Sequence, residues 1–176
     1  QSLSAVNGMV QENMTRGHGW LFLDFGRRLE RGLSVLKLLE AMGKSTSLRA
    51  ILEPVLEIAD SVMTYRRRYF SAPHLAGVLD LLLRDESNPR SLIYQITVLK
   101  EHTTVLATDA KSVASHLDPG PIAALGRDIR ALSPDELAAQ TDARLIALLN
   151  SWSKSLSDLS DEVTNRYFSH SVSRAS

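Results

Sequence analysis

The stretch that decides the fold is GWLFLDFGRRLERGLSVLKLLEAM, at residues 19–42. Its large apolar residues recur at three- and four-residue steps, which place them along one side of an α-helix. These residues are Phe22, Phe25, Leu29, Leu33, Leu36 and Leu39. The spacing therefore predicts one long amphipathic helix from Trp20 to about Met42, which ends near Gly43.

The other long segments show the same helical periodicity, and their β-branched residues are too scattered to build strands. We expect a second helix from Leu48 to Phe70, in which Pro54 introduces a kink or marks the true start. A short helix with the sequence LAGVLDLLL should follow Pro73. The chain is thus predicted to be all-α, an antiparallel bundle of about five or six helices.

Turn and capping residues place the boundaries of the later helices. Asn88 can cap a fourth helix, and Pro89 can occupy its first position. The segment LDPGPIAALG at residues 117–126 is interpreted as a break in the helical pattern. It is followed at residues 133–136 by SPDE, which has the pattern of a capping box.

The whole chain, residues 1–176, is predicted to form a single all-helical domain. Its last helix should run from about Asp142 to Phe168. Residues 171–176 carry no apolar stripe, so we expect a frayed tail. Because the chain begins at Gln1 rather than Met, we also expect it to be a piece of a longer protein.

The composition excludes several classes of protein. Twenty basic residues balance twenty acidic ones, so no nucleic-acid partner is expected. No apolar run reaches the roughly 18 residues of a membrane span. The chain has no cysteine and its five histidines are scattered, so we expect neither a metal site nor a cofactor. The lack of cysteine is compatible with a cytoplasmic location.

The charged residues of the first helix have two interpretations. Asp24 precedes Arg28 by four residues and Arg27 precedes Glu30 by three, so these pairs can form on a solvated helix face. Alternatively, the arginines lie between hydrophobic residues and form a partly buried ionic network with acids of the second helix. The candidate network comprises Arg27, Arg28, Glu30, Arg31, Glu53, Glu57 and Asp60.

The run YRRRY at residues 65–69 also has two interpretations. Cations at the end of a helix interact favourably with its dipole, which would make the run structural. Alternatively, arginine forks bind carboxylates and phosphates, and tyrosines donate hydroxyl groups, so the run could form an anion site with the nearby NPRS segment. The candidate ligand-binding residues are Tyr65, Arg66, Arg67, Arg68, Tyr69, Asn88 and Arg90.

Several blocks together resemble the bacterial alpha-E domain family. They read ENMTRGHGWLFLDFGRRLERG, ADSVMTYRRRY, LLLRDESNPRSL and RYFSH, and they follow that family's order from about Glu12 to His170. The resemblance implies that the chain corresponds to the C-terminal part of the family domain. The sequence departs from the family pattern at Leu21, where arginine is usual, and at Gly32, where alanine is usual.

The resemblance implies an all-helical domain found beside or fused to circularly permuted ATP-grasp proteins and transglutaminase-like peptidases. Those systems make or modify peptides or amide-linked conjugates. It implies two partners, the ATP-grasp protein and the missing N-terminal part of the domain. Without that part we expect an exposed apolar surface on the first helix, which a homodimer would cover. The family's characteristic positions fall on Trp20, Gly26, Arg27, Arg28, Glu30, Arg31, Asp60, Tyr65, Arg66, Arg67, Arg68, Tyr69, Asn88, Pro89, Arg90 and Ser91.

Three functions are compatible with these patterns. The first is an accessory module that binds a peptide, a carboxylated ligand or a partner protein of an ATP-grasp system. The second is an enzyme domain of the same pathway that acts through arginine, tyrosine or carboxylate side chains, although no residue is assigned as catalytic. The third is a scaffold whose charged residues serve only helix packing. An exposed pocket lined by arginines would favour binding, and full internal pairing would favour a scaffold.

Overall fold

A computed structural model describes residues 18–109 and 117–168. These described residues form eight α-helices and one short π-helical segment, and they include no β-strand. The prediction of an all-α fold is confirmed. The α-helices are α1 (His18–Gly43), α2 (Leu48–Ile58), α3 (Val62–Tyr69), α4 (Leu75–Leu79), α5 (Leu92–Asp109), α6 (Gly120–Ala131), α7 (Pro134–Ala138) and α8 (Asp142–Tyr167), and the π-helical segment is Asp80–Arg84.

Helix α1 lies at the centre of the fold and packs against α8, α5 and α2. The apolar stripe predicted for it is confirmed, because Phe25, Leu29, Leu36 and Leu39 are buried and the other two members are partly buried. Opposite it, α8 contributes the buried Trp152 and four leucines on the same face. The stripe thus holds the three longest helices around one core.

The second predicted helix is in fact two helices, and the break lies at Asp60 rather than at Pro54. Pro54 lies inside α2. The backbone of Asp60 adopts a left-handed conformation with φ 50°. The amide of Asp60 donates to the carbonyl of Glu57 and the amide of Ser61 donates to that of Leu56, the two bonds of a Schellman motif. This motif ends α2 and sends α3 in a new direction.

The predicted number of five or six helices is too low for a second reason. The segment interpreted as a break contains the first part of α6, a helix in which Ile122, Leu125 and Ile129 are buried at three- and four-residue steps. Pro121 stands at the second position of α6, where a helix does not need its missing amide hydrogen. The proline and glycine residues therefore mark the start of a helix and not a loop.

The remaining boundaries agree with the predictions in part. Helix α5 begins at Leu92 rather than at Pro89, and the hydroxyl of Ser91 accepts a hydrogen bond from the amide of Tyr94 at 3.2 Å. The capping box at Ser133 is confirmed, and α8 has the predicted extent. The predicted frayed tail at residues 171–176 lies outside the described residues. In the described part of the chain, none of the helices has both the length and the apolar character needed to cross a membrane.

Candidate functional site

A groove of about 300 Å³ lies between one face of α1, the end of α2 and the turn that precedes α5. We call it the α1 groove. On α1 the lining positions 31, 34, 35 and 38 follow helical spacing, so one face of the helix forms a wall. The lining residues are Glu30, Arg31, Ser34, Val35, Leu38, Ile58, Ala59, Pro89, Arg90 and Gln95.

The guanidinium group of Arg31 gives the α1 groove a positive character. Burial lowers the pKa of Arg31, and the nearby cations Arg28 and Arg90 lower it further, against the opposing effect of Asp24. Among the described residues, Arg31 forms no ion pair. The Arg31 side chain is exposed, but other cations crowd it, and a bound anion would stabilise its charge.

The turn before α5 positions the second arginine of the groove. The side-chain oxygen of Asn88 accepts a hydrogen bond from the amide of Arg90 at 3.0 Å, and its nitrogen donates to the carbonyl of Leu81 at 3.0 Å. The guanidinium of Arg90 is half-exposed and pairs with the exposed carboxylate of Asp60. Arg90 is therefore fixed at its backbone, while its guanidinium pairs with a solvent-exposed carboxylate.

A buried polar network lies behind the groove. The Asp24 carboxylate is buried and accepts hydrogen bonds from His102 Nε2 at 2.8 Å and from Arg28 Nε at 3.2 Å. Arg28 also donates from Nη1 to Gln95 Oε1 at 3.4 Å. Gln95 in turn donates from Nε2 to the carbonyl of Pro89 at 2.7 Å. The network thus joins α1 and α5 and ends at a residue that lines the groove.

The lowered pKa of Asp24 indicates that its hydrogen bonds outweigh the effect of its burial. Burial raises the pKa of the Asp24 carboxyl, but the hydrogen bonds from His102 and Arg28 lower it, and the net result lies below the ordinary value of 3.8. The carboxylate is therefore ionised in the fold despite its burial. The sequence had indicated only the pair of Asp24 and Arg28, which is confirmed.

The structure corrects the rest of the predicted buried network. Glu53 is exposed and pairs with Arg66 at 2.8 Å, and Asp60 pairs with Arg90. Glu57 is exposed as well. Leu52, Val55 and Leu56 take the buried face of α2, so the acids next to them point to solvent. Glu30 and Arg31 are exposed, whereas Arg27 and Arg28 are half-buried. Arg28 joins the buried network through its contact with Asp24.

The YRRRY run ties α3 to the π-helical segment. Tyr69 donates from its hydroxyl to Asp80 at 2.6 Å, and burial together with this bond raises the pKa of Tyr69. Arg68 pairs with Asp85 at 2.6 Å and with Asp80 at 3.3 Å. Arg67 is exposed. Arg66 and Arg68 therefore have partners separate from that of Arg90, and only Arg90 of the predicted ligand-binding residues lines the α1 groove.

Tyr65 is the buried member of the run. Its hydroxyl bonds to His74 Nδ1 at 2.9 Å and accepts from the His74 amide at 3.1 Å. The ring lies 4.6 Å from that of Tyr69 between centroids. A Cβ atom at Gly77 would lie 2.7 Å from the hydroxyl oxygen of Tyr65. The first tyrosine of the run is thus part of the core, packed against α4.

We expect Gly77→Ala to lower the free energy of unfolding by about 1–3 kcal/mol, because the added methyl group overlaps the Tyr65 hydroxyl and the His74 ring. Urea unfolding followed by circular dichroism measures the change. In a Tyr65→Phe background the hydroxyl is gone and the contact with His74 Cε1 at 2.9 Å remains, so the same substitution should cost less but not become neutral. An equal cost in both backgrounds would show that the overlap does not limit this position.

Sequence reasoning missed several residues of these clusters. His102 and Gln95 lie among several other polar residues of α5, and no spacing rule pairs these two with α1. Asp80 and Asp85 gave no signal that they would bind Arg68. The apolar members of the groove resemble ordinary core residues in sequence. No group of three or more potential metal ligands occurs among residues 18–109 and 117–168.

Comparison with known proteins supports the family resemblance. Residues 1–168 match the Alpha-E family, described as a predicted alpha-helical domain with a conserved ER motif. Uncharacterised proteins of Mycobacterium bovis and of two strains of Mycobacterium tuberculosis are 32% identical to the chain over 167 residues. The match covers 90% of this chain but 19% of each relative, so the chain spans about a fifth of their length. No solved structure matches the chain.

Proposed function

Because the chain belongs to the Alpha-E family, we propose that it is a helical binding module that holds a carboxylate-bearing ligand in the α1 groove. The observation that carries this proposal is the position of the ER motif. Glu30-Arg31 is the only adjacent Glu-Arg pair in the sequence, and both residues line the groove. The motif that describes the family therefore lies at a surface concavity and not in the core.

The charges of the groove favour a carboxylate. A guanidinium presents two parallel N–H groups that match the two oxygens of a carboxylate. Arg31 has no competing ion pair among the described residues. The pair of Arg90 with Asp60 is exposed, and exposed pairs contribute only about 0–1 kcal/mol, so Arg90 can exchange Asp60 for a ligand at little cost.

We further propose that the module serves an ATP-grasp-linked system that makes or modifies peptides or amide-linked conjugates. This part rests on the family resemblance of the charged blocks. ATP-dependent ligases of this kind use carboxylates as substrates, so a domain that binds a carboxylate would present an acceptor or retain a product. The circularly permuted ATP-grasp protein would be the partner, in the cytoplasm. In the mycobacterial relatives the match covers about a fifth of the protein, and we propose that the rest of such a protein contributes to the same system.

We expect Arg31→Gln to weaken binding of a carboxylate peptide about tenfold or more, because hydrogen bonds to charged groups contribute about 1.5–3 kcal/mol. The probe is acetyl-alanyl-alanine with a free carboxylate, titrated by heteronuclear NMR at low salt. Acetyl-alanyl-alanine amide should bind far more weakly than the free acid.

The matched control is Arg144→Gln, which removes an exposed arginine of α8 that does not line the groove. It should leave the affinity unchanged. Binding of the free acid and of the amide with equal affinity, or equal binding by wild-type protein and Arg31→Gln, would overturn the proposal.

A further inference from the structure

We propose that the ligand of the α1 groove is a peptide whose C-terminal residue has an apolar side chain, such as leucine. This inference rests on the proposed function, since it takes the carboxylate at Arg31 as its starting point. The groove carries two kinds of surface, a cationic end and an apolar wall. A peptide C-terminus with an apolar last residue presents the complementary pair of groups at the same spacing.

The apolar wall of the groove consists of side chains that differ in exposure. Val35 belongs to the core and is only 9% exposed, Leu38 is partly buried, and Ala59 and Pro89 also line the groove. Ile58 ends α2 and lines the groove although 72% of its surface is exposed. A ligand that covers these side chains would remove apolar surface from water.

The cationic end and the apolar wall of the groove are close enough for one amino acid to contact both. Val35 follows Arg31 by four residues, about one helical turn, which is a rise of roughly 6 Å. A carboxylate at Arg31 therefore leaves the side chain of the same residue beside Val35 and Leu38. Arg31 and Arg90 would share the carboxylate, while the preceding peptide continues toward solvent.

Glu30 should increase the preference of the groove for an apolar C-terminal residue over an acidic one. Its carboxylate lines the same groove as the two arginines. A last residue with a second negative charge would meet this carboxylate as well as the apolar wall. An acidic C-terminal residue should therefore bind less tightly than an apolar one, even though both carry the terminal carboxylate.

The test compares three peptides that differ only in the last residue: acetyl-alanyl-leucine, acetyl-alanyl-glycine and acetyl-alanyl-glutamate, each with a free carboxylate. We expect the leucine peptide to bind about tenfold tighter than the glycine peptide, because the leucine side chain is partly removed from water in the complex. The glutamate peptide should bind no tighter than the glycine peptide. Dissociation constants come from NMR titration of the whole chain.

Two variants locate the apolar contact. Ile58→Ser should reduce the preference for leucine over glycine from about tenfold to about threefold, since Ile58 covers only part of the side chain. Met63→Ser is the matched control, because Met63 is also an exposed apolar residue, 61% exposed, but does not line the groove. It should leave the preference unchanged.

The outcomes separate this inference from the proposed function. Equal binding of the leucine and glycine peptides, with the amide still excluded, would overturn the inference and leave the carboxylate site standing. A leucine preference that both variants retain would also overturn it, because the apolar contact would then lie elsewhere. Absence of binding by every free acid would overturn both proposals.

Discussion

Replacing Asp24 with alanine should lower the free energy of unfolding by about 3–5 kcal/mol, the range found when one partner of a buried ion pair is removed. Asp24 is the common acceptor for His102 and Arg28. Without it, both donors are left in a site from which most water is excluded. Urea or thermal unfolding followed by circular dichroism measures the loss.

Asp128→Ala provides the matched control, because Asp128 is an exposed aspartate of α6. Its loss should change stability by no more than about 0.5 kcal/mol, as for other surface substitutions. If Asp24→Ala cost no more than the control, the buried network would contribute nothing measurable to the fold.

The pH dependence of stability provides a separate readout of the same residue. The pKa of the Asp24 carboxyl is below 3.8 in the fold, so the folded state binds its proton less readily than the unfolded chain does. Its contribution to stability is therefore fully present above about pH 4 and is lost as the pH falls through the lower folded-state pKa. Asp24→Asn should reduce the slope of stability against pH in this acid range, although Asp85, whose pKa is also lowered, will retain part of it.

The central helix could be predicted from the sequence because its signal is local. The spacing of Phe25, Leu29, Leu36 and Leu39 describes which residues share a face, and the face with the largest apolar groups is the one that becomes buried. The break between α2 and α3 could not be predicted in the same way. A left-handed residue at the end of a helix is usually glycine, and here it is Asp60.

The groove could not be predicted from the sequence for a different reason. Its walls come from α1, the end of α2, the turn before α5 and α5 itself, and helical periodicity does not say which faces of separate helices meet. The acids Glu53 and Glu57 do share a face of α2, as their spacing indicated. That face is turned to solvent because Leu52 and Val55 occupy the core, so proximity to the arginines of α1 did not follow.

The division of the arginines between two regions also bears on the proposed function. The YRRRY run holds α3 against the π-helical segment through Arg68 and Tyr69, which is the behaviour of a scaffold. Arg31 and Arg90 instead meet at a concave surface. The structural interpretation therefore fits Arg68 and Tyr69, and the ligand-binding interpretation stays a proposal for Arg31 and Arg90. Tyr65 offers the clearest test of the structural part, because it is fully buried within the run.

Tyr65→Ala should lower the free energy of unfolding by about 3–5 kcal/mol, as expected when a buried aromatic ring is removed and a cavity remains. Tyr65→Phe keeps the ring and loses only the two hydrogen bonds with His74, so it should cost about 1–2 kcal/mol. Chemical unfolding measures both variants, and Arg67→Ala serves as the exposed control within the same run. Because Tyr65 does not line the α1 groove, Tyr65→Phe should bind the alanine peptide with wild-type affinity. A stable Tyr65→Phe variant that no longer binds the peptide would assign this run to the ligand site and contradict its structural role.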